Sequence, residues 1–214
     1  MIEILIADDH AIVREGLKQI VADTSDMIVI DEASDGHEVL ALLSKNNYDV
    51  VVLDMAMPGL TGLDVLKQIK RETPKLPVLI LSVHPEEQYA VRALKAGASG
   101  YLTKESAPDE LITAIRKVSM GGKYITSFLA EKLAFELEVD TEKPPHKTLS
   151  DREFQVMCMI AKGRTIKNIA EELFLSPKTV STYRSRILEK MKMKSNEELT
   201  HYAINNHLID WNYL

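Results

Sequence analysis

Val50-Val51-Val52-Leu53-Asp54-Met55-Ala56-Met57-Pro58-Gly59 is the stretch on which the fold turns. A strand with one wet face alternates apolar and polar side chains, whereas an unbroken run of Val and Leu needs a sheet covered on both faces. Outward from this run the same texture recurs. Glu3-Ile4-Leu5-Ile6-Ala7 and Ile28-Val29-Ile30-Asp31 precede it, and Val78-Leu79-Ile80-Leu81 and the shorter Gly100-Tyr101-Leu102 follow. Between the runs, apolar residues recur at three and four near residues 11–23, 36–45, 62–72, 86–96 and 107–118, which predicts helices. Strand and helix in strict alternation imply an α/β domain, a doubly wound parallel sheet, over residues 1–120.

Beyond it the chain changes character. Residues 121–147 read as a linker with one helix, Ser127 to about Leu137, followed by the acidic, aperiodic stretch Glu138 to His146 that contains Pro144-Pro145. Gly121-Gly122-Lys123 lacks the earlier glycine and the strand context of a phosphate-binding loop and reads as a turn. Residues 148–214 hold no strand-like run, but their helix starts are marked. Ser150-Asp151-Arg152-Glu153 and Ser195-Asn196-Glu197-Glu198 both fit the capping box, and Ser176-Pro177 puts a cap residue before a proline at the first helical position. A small all-α domain follows, with helices at about 151–161, 166–173, 177–193 and 196–206.

With 214 residues, 45% of them apolar and 27% charged, the chain can build two cores. Asp8, Asp9, Arg14, Glu15 and Lys18 exclude a signal peptide at the start, and no run reaches the roughly 18 apolar residues of a membrane span. A cytoplasmic protein with no membrane partner is expected. The single cysteine, Cys158, lies in Val156-Met157-Cys158-Met159-Ile160, which excludes an intrachain disulfide and reads as helix core. Charge is unevenly spread: residues 1–120 carry net −7, residues 121–146 net −2, and residues 147–214 net +3. The acidic first segment makes a poor DNA binder, whereas the basic last segment is a plausible one.

Ligands of a doubly wound sheet sit beyond the carboxyl ends of its strands. Asp8 and Asp9 follow the first strand, Asp54 the third, Ser82 the fourth and Lys104 the fifth, so all converge on one edge. Crowded carboxylates repel one another unless a hard divalent cation lies among them, and Mg2+ is the natural occupant because it accepts a few carboxylates while keeping other oxygen ligands. Asp54 can then attack phosphorus as a nucleophile while the cation and Lys104 neutralise the phosphoryl oxygens. His10 opens the first helix and reads as structural.

Asp8-Asp9, Asp54-Met55-Ala56-Met57-Pro58-Gly59, Ser82 and Tyr101-Leu102-Thr103-Lys104 together resemble the receiver domain of two-component response regulators, over all of residues 1–120. The resemblance implies a flavodoxin-like strand order of 2-1-3-4-5. It implies that Asp54 takes a phosphoryl group from a sensor histidine kinase or a small acyl phosphate. Asp9, assisted by Asp8, would hold Mg2+ with Asp54 and the Ala56 carbonyl. Ser82 would bind a phosphoryl oxygen, and Tyr101 would turn inward behind it. The chain departs from the family in having Ser82 where Thr is commoner and Glu105 where many receivers have proline. Ala56 and His84 flank the path of a hydrolytic water in such domains; Ala56 cannot orient one, which implies a long-lived phosphorylated form unless the His84 imidazole offsets it. Phosphohydrolases with an aspartate nucleophile carry a second aspartate where this chain has Ala56, which argues against turnover as the function.

In the basic segment, a short helix beginning near Lys167 and a longer one starting at Ser176 form a helix-turn-helix, whose second helix enters the major groove. Val180, Ile187, Leu188 and Met191 make its buried stripe. The string Leu149-Ser150-Asp151-Arg152-Glu153, Gly163, Asn168-Ile169-Ala170, Leu175-Ser176-Pro177-Lys178-Thr179-Val180 and Ile187-Leu188-Glu189-Lys190-Met191 resembles the LuxR-type helix-turn-helix. With the receiver, this makes the chain similar to the NarL/FixJ class of response regulators. The resemblance implies promoter DNA as a partner, with Lys178, Thr179 and Arg184 as phosphate or positioning contacts and Ser181, Thr182 and Ser185 facing the bases, with Arg186 beside them. Arg184 has an alternative role as an internal brace. Homodimers on half-sites about 10 base pairs apart are expected, with RNA polymerase as a further partner. Leu199, Tyr202, Ala203 and Leu208 are candidates either for the dimer surface or for packing within the domain.

Overall fold

In the computed structural model the Val50 run is strand β3 (Val50–Asp54), buried at every residue. It lies at the centre of a five-stranded sheet with β1 (Ile2–Ala7), β2 (Met27–Ala33), β4 (Val78–Ser82) and β5 (Gly100–Thr103). The order is β2-β1-β3-β4-β5 and every pairing is parallel. The structure describes residues 1–83, 86–138, 144–206 and 208–209. They fall into two units, Met1–Phe135 and Glu136–Leu214.

Helices α1 (Ala11–Ala22), α2 (Gly36–Leu43), α3 (Gly62–Glu72), α4 (Glu86–Lys95) and α5 (Ala107–Ser119) alternate with the strands. Ile4, Ile6, Val50, Val52, Leu79 and Leu81 pack against Leu17 and Val21 of α1 and Leu111, Ile115 and Val118 of α5. The intervening residues Leu5, Val51, Leu53 and Ile80 are equally buried, so both faces of the central strands are covered. Edge strand β2 is the exception, with Ile28 and Ile30 exposed at 43% and 39%. A strand with only one neighbour lies at the margin of the helical layers.

The segment expected as a linker is divided between the two units. Tyr124 bridges to Gly100 of β5 and its hydroxyl donates to Glu110 at 2.8 Å, so the chain just after α5 stays on the sheet. Gly121, at φ +82°, makes the turn that brings it there. Helix α6 (Ser127–Glu138) follows, with Leu129 fully buried. Residues 139–143 of the expected linker lie outside the described residues. From Pro145 to Thr148 a 3-10 turn packs on the second unit, where the His146 ring nitrogen Nδ1 lies 2.8 Å from the Tyr202 hydroxyl.

The second unit contains α7 (Asp151–Ala161), α8 (Ile166–Glu172), α9 (Pro177–Met191) and α10 (Asn196–Asn205). Ser150 completes the expected capping box with Glu153. Ser195 makes half of one: its side chain accepts from the Glu198 N–H, but the Glu198 carboxylate accepts instead from the Lys194 N–H at 2.8 Å. Ser176 caps α9 ahead of Pro177. Phe174, in the turn between α8 and α9, holds φ +54° and is 66% exposed, a strained setting for a bulky residue. Cys158 is buried in α7. Among the described residues no helix is long and apolar enough to cross a membrane.

Candidate functional site

Strand register places the acidic residues together. Asp54 ends β3 opposite Leu81, Ser82 ends β4 opposite Thr103, and the Lys104 amide donates to the Ser82 carbonyl at 2.7 Å. Asp8 and Asp9 leave β1 beside them, and Arg14 fixes that strand end by donating to the Asp8 carbonyl at 2.7 Å. Asp8 and Asp54 are buried, at 0% and 1% exposure, and so is Ser82. The Lys104 ammonium lies 2.6 Å from Asp8 Oδ2 and 3.2 Å from Asp54 Oδ2. Tyr101 is buried in β5. Ala56 is exposed in the loop after β3; His84 lies outside the described residues. Every described peptide bond is trans, including the one joining Lys104 to Glu105.

Close approach of the backbone holds Asp54 in place. The Gly62 N–H donates to the Met55 carbonyl at 3.0 Å, folding the loop back under the strand end. A Cβ at Gly62 would lie 2.1 Å from the Asp54 carbonyl oxygen and 2.8 Å from Met55 Cα. Sequence reasoning passes over this glycine, since a Gly-Leu pair at a helix start carries no chemical signature. His10, read as structural, sets its Nδ1 2.7 Å from Asp9 Oδ1 and 3.3 Å from Asp8 Oδ1.

Burial pushes the Asp54 carboxyl up to about 6; Lys104 works against that rise and Asp8 adds to it. Burial acts to lower the Lys104 pKa, but Asp54 and Asp8 outweigh it and the net direction is upward. Asp8 Oδ2 and Asp54 Oδ2 face the Lys104 ammonium and Asp9 Oδ1 faces the His10 ring, which leaves three carboxylates sharing one ammonium. Buried oxygens left so are costly unless another positive group satisfies them. The donor atoms of Asp8, Asp9, His10 and Asp54 lie within 4.8 Å of one another, a spacing and oxygen-rich chemistry that fit a divalent cation.

This burial gives a pH signature. A carboxyl whose folded pKa is raised adds stability that is full below its unfolded value and is lost as pH rises through the folded one. From the usual 3.8 to about 6, the Asp54 penalty amounts to roughly 3 kcal/mol at neutral pH. With metal chelated, Asp54→Asn is therefore expected to raise the stability of the first unit at pH 7.5 by about that amount, with the gain fading towards pH 4. Urea titrations at several pH values check this; a pH-independent gain would contradict it.

In the second unit, the turn Leu173–Leu175 joins α8 to α9, and Val180, Ile187 and Met191 are buried while Leu188 is half-buried. Lys178, Ser181, Thr182, Ser185 and Arg186 are exposed. The three hydroxyls bond to their own helix: Ser181 to the Pro177 carbonyl at 2.9 Å, Thr182 to Lys178 at 3.0 Å and Ser185 to Ser181 at 3.1 Å. Thr179 is engaged at the cap, its hydroxyl 2.8 Å from that of Ser176. Arg184 Nε donates to Asn196 Oδ1 at 2.7 Å, the bracing arrangement. Leu199, Ala203 and Leu208 are buried within the unit, and Tyr202 is half-buried, so the face of α10 left to solvent is that of Glu197, His201 and Asn205.

Comparison with known proteins agrees with both geometries. Residues 4–116 match the response regulator receiver domain family, and residues 147–203 match the bacterial regulatory proteins of the luxR family. The chain is 41% identical over 209 residues to the response regulator UvrY of Escherichia coli K12, covering 97% of this chain and 96% of UvrY. It is 37% identical over 211 residues to the response regulator GacA of Pseudomonas aeruginosa, covering 98% and 99%. Among solved structures, RcsB of Salmonella enterica serovar Typhimurium, bound to the promoter rprA with the phosphomimetic BeF3−, superposes with a TM-score of 0.64 at 26% identity, covering 94% of this chain and 98% of that one. A five-stranded parallel receiver sheet with an acidic edge, followed by a luxR-family helix-turn-helix, places this chain in the NarL/FixJ class of two-component response regulators, to which it belongs.

Proposed function

We propose that the chain is a phosphorylation-switched transcription factor of the cytoplasm, in which residues 1–120 form the receiver, residues 121–147 connect, and residues 148–214 bind promoter DNA. The observation that carries this reading is a buried Asp54 at the carboxyl edge of the sheet, with the Lys104 ammonium 3.2 Å from its carboxylate. At pH 7 a carboxyl held at about 6 is mainly ionised, so it can act as a nucleophile. An Asp54 oxygen forms the bond to phosphorus as the phosphorus–nitrogen bond to a sensor kinase's phosphohistidine breaks, and the leaving imidazole takes up a proton. Mg2+, held by Asp9 and Asp54 with Asp8 and the Ala56 carbonyl, would supply positive charge to the phosphoryl oxygens. Lys104 neutralises a further oxygen, Ser82 donates a hydrogen bond to another, and Tyr101 packs behind Ser82 and relays the change to the α4–β5 face.

On DNA, α9 enters the major groove. Ser181, Thr182 and Ser185 face base edges with Arg186 beside them, while Lys178, Thr179 and the terminal nitrogens of Arg184 position the helix on phosphates. A homodimer reads two half-sites, and RNA polymerase is the further partner. Wild type and Asp54→Ala, each treated with Mg2+ and acetyl phosphate, are compared by intact mass and by affinity for promoter fragments. Wild type is expected to gain one phosphoryl group and to bind DNA about 5- to 150-fold more tightly, with both changes absent in the variant. Phosphoryl uptake without any change in DNA affinity would move the reading to a regulator that works without phosphorylation.

A further inference from the structure

At the edge of the sheet opposite Asp54, where β4 and β5 begin, two lysines converge on the segment Gly97-Ala98. Lys70, in the last turn of α3, is half-buried, and its Nζ donates to the carbonyls of Leu76 and Pro74, the second at 3.5 Å. Its stem lies along Gly97, where an added Cβ would stand 2.9 Å from Lys70 Cγ and 3.3 Å from Cδ. Lys123 reaches the next residue, its Nζ donating to the Ala98 carbonyl at 2.6 Å. Among the described residues no carboxylate pairs with Lys70; burial, and after it the charge of Lys123, lower its pKa. More of it is therefore the free amine, which is the nucleophilic form. A neutral amine has two N–H groups and one lone pair. With the Leu76 and Pro74 carbonyls accepting the two hydrogens, the lone pair takes the remaining direction, away from both.

We propose that Lys70 is a site of acylation by small acyl phosphates, with the Lys123 ammonium holding the phosphate end of the donor. The Lys70 nitrogen forms a bond to the acyl carbon as the bond from that carbon to the phosphate oxygen breaks. Phosphate leaves with the electron pair and takes up the amine proton, and Lys123 offsets the charge that gathers on it. The product amide is neutral, so the mark removes the charge that Lys123 repels. Acylation needs neither Asp54 nor a divalent cation and stands apart from the phosphorylation reading. One class of small molecule would then mark the two edges of one sheet differently, with a phosphoryl group on Asp54 and an acyl group on Lys70.

The probe is acetyl phosphate added to the full-length protein at pH 7.5, with acetyl-lysines located and timed by mass spectrometry of its peptides. Lys70 is expected to be acetylated severalfold faster than the exposed Lys45, Lys75 and Lys178, and to lose that lead in urea, where the fold is gone. Lys123→Gln, checked for folding by circular dichroism, is expected to slow Lys70 severalfold with acetyl phosphate and less with p-nitrophenyl acetate, an uncharged donor. Two results overturn the proposal: Lys70 modified no faster than the exposed lysines, or a lead that persists in urea. Equal slowing with both donors overturns the part given to Lys123. Phosphoryl uptake with Mg2+ is followed by mass in parallel: uptake without preferred acetylation sinks the acylation site alone, and preferred acetylation without uptake sinks the phosphorylation reading alone.

Discussion

Gly62→Ala is expected to destabilise the first unit by about 3 kcal/mol or more and to abolish phosphoryl uptake at Asp54. The added methyl would sit 2.1 Å from the Asp54 carbonyl oxygen, 2.8 Å from Met55 Cα and 2.9 Å from the Asp54 carbonyl carbon. All three are backbone atoms, so no side chain can swing away. Relief requires moving either the end of β3, which is paired on both sides, or the start of α3, whose first turn is buried at Gly62 and Leu63. Either movement takes the Asp54 carboxylate off its position beside Lys104. Gly59, three residues earlier, would meet nothing within 4 Å of an added methyl but needs φ +75°, so its substitution strains the backbone without displacing the nucleophile. Urea unfolding with intact mass after acetyl phosphate treatment distinguishes the two sites. A Gly62→Ala protein of wild-type stability that takes up phosphoryl normally would show that the loop has slack.

Glu153→Ala is expected to lower the stability of the helical unit by about 3 kcal/mol. Its carboxylate is 3% exposed and accepts from the Ser150 N–H at 2.8 Å and the Ser150 hydroxyl at 2.9 Å, with Lys190 Nζ at 2.6 Å. One side chain therefore closes the start of α7 and ties it to α9. Alanine leaves the Ser150 N–H without its acceptor and Lys190 without its partner; glutamine, which keeps volume and an acceptor oxygen, is expected to lose about half as much. Burial acts to raise the Glu153 pKa, but Lys190 and Ser150 outweigh it and the net direction is downward. Stability from a lowered carboxyl is present above its unfolded pKa and lost as pH falls through the folded one. The helical unit thus weakens in acid, where protonation of Asp54 favours the first unit. Thermal melts of wild type and variant at pH 7 and pH 4 test both statements: a difference between them that does not shrink in acid would contradict the ionic part.

What could be read from the sequence divides along physical lines. Unbroken apolar runs fix strands, and helical periodicity fixes helices, because burial acts on every residue of an element; α7 begins at Asp151 and α9 at Pro177, as their caps predict. Asp54, Asp8, Asp9 and Lys104 were legible because strand ends in such a sheet share an edge. The contact of His10 with Asp9 was not, since a histidine at a helix start has no direction until the backbone turns it. Gly62 was not, since a missing side chain announces itself only through what surrounds it. The half-formed cap at Ser195 shows the same limit: Ser-x-x-Glu permits the reciprocal bond, and the local backbone chose Lys194 instead. Arg184 carried two readings, and the Asn196 amide, twelve residues away, engages its Nε as a brace.

The exposed hydroxyls of α9 are satisfied by their own helix, and the residues that hold α9 in place, Val180, Ile187 and Met191, lie on another face. Substitutions at Lys178, Ser181, Thr182, Ser185 and Arg186 therefore leave the core untouched. After gene duplication, two copies of such a regulator can drift to separate sets of promoters through a few surface changes, each inheriting an intact scaffold, so new wiring arises without an intermediate that fails to fold.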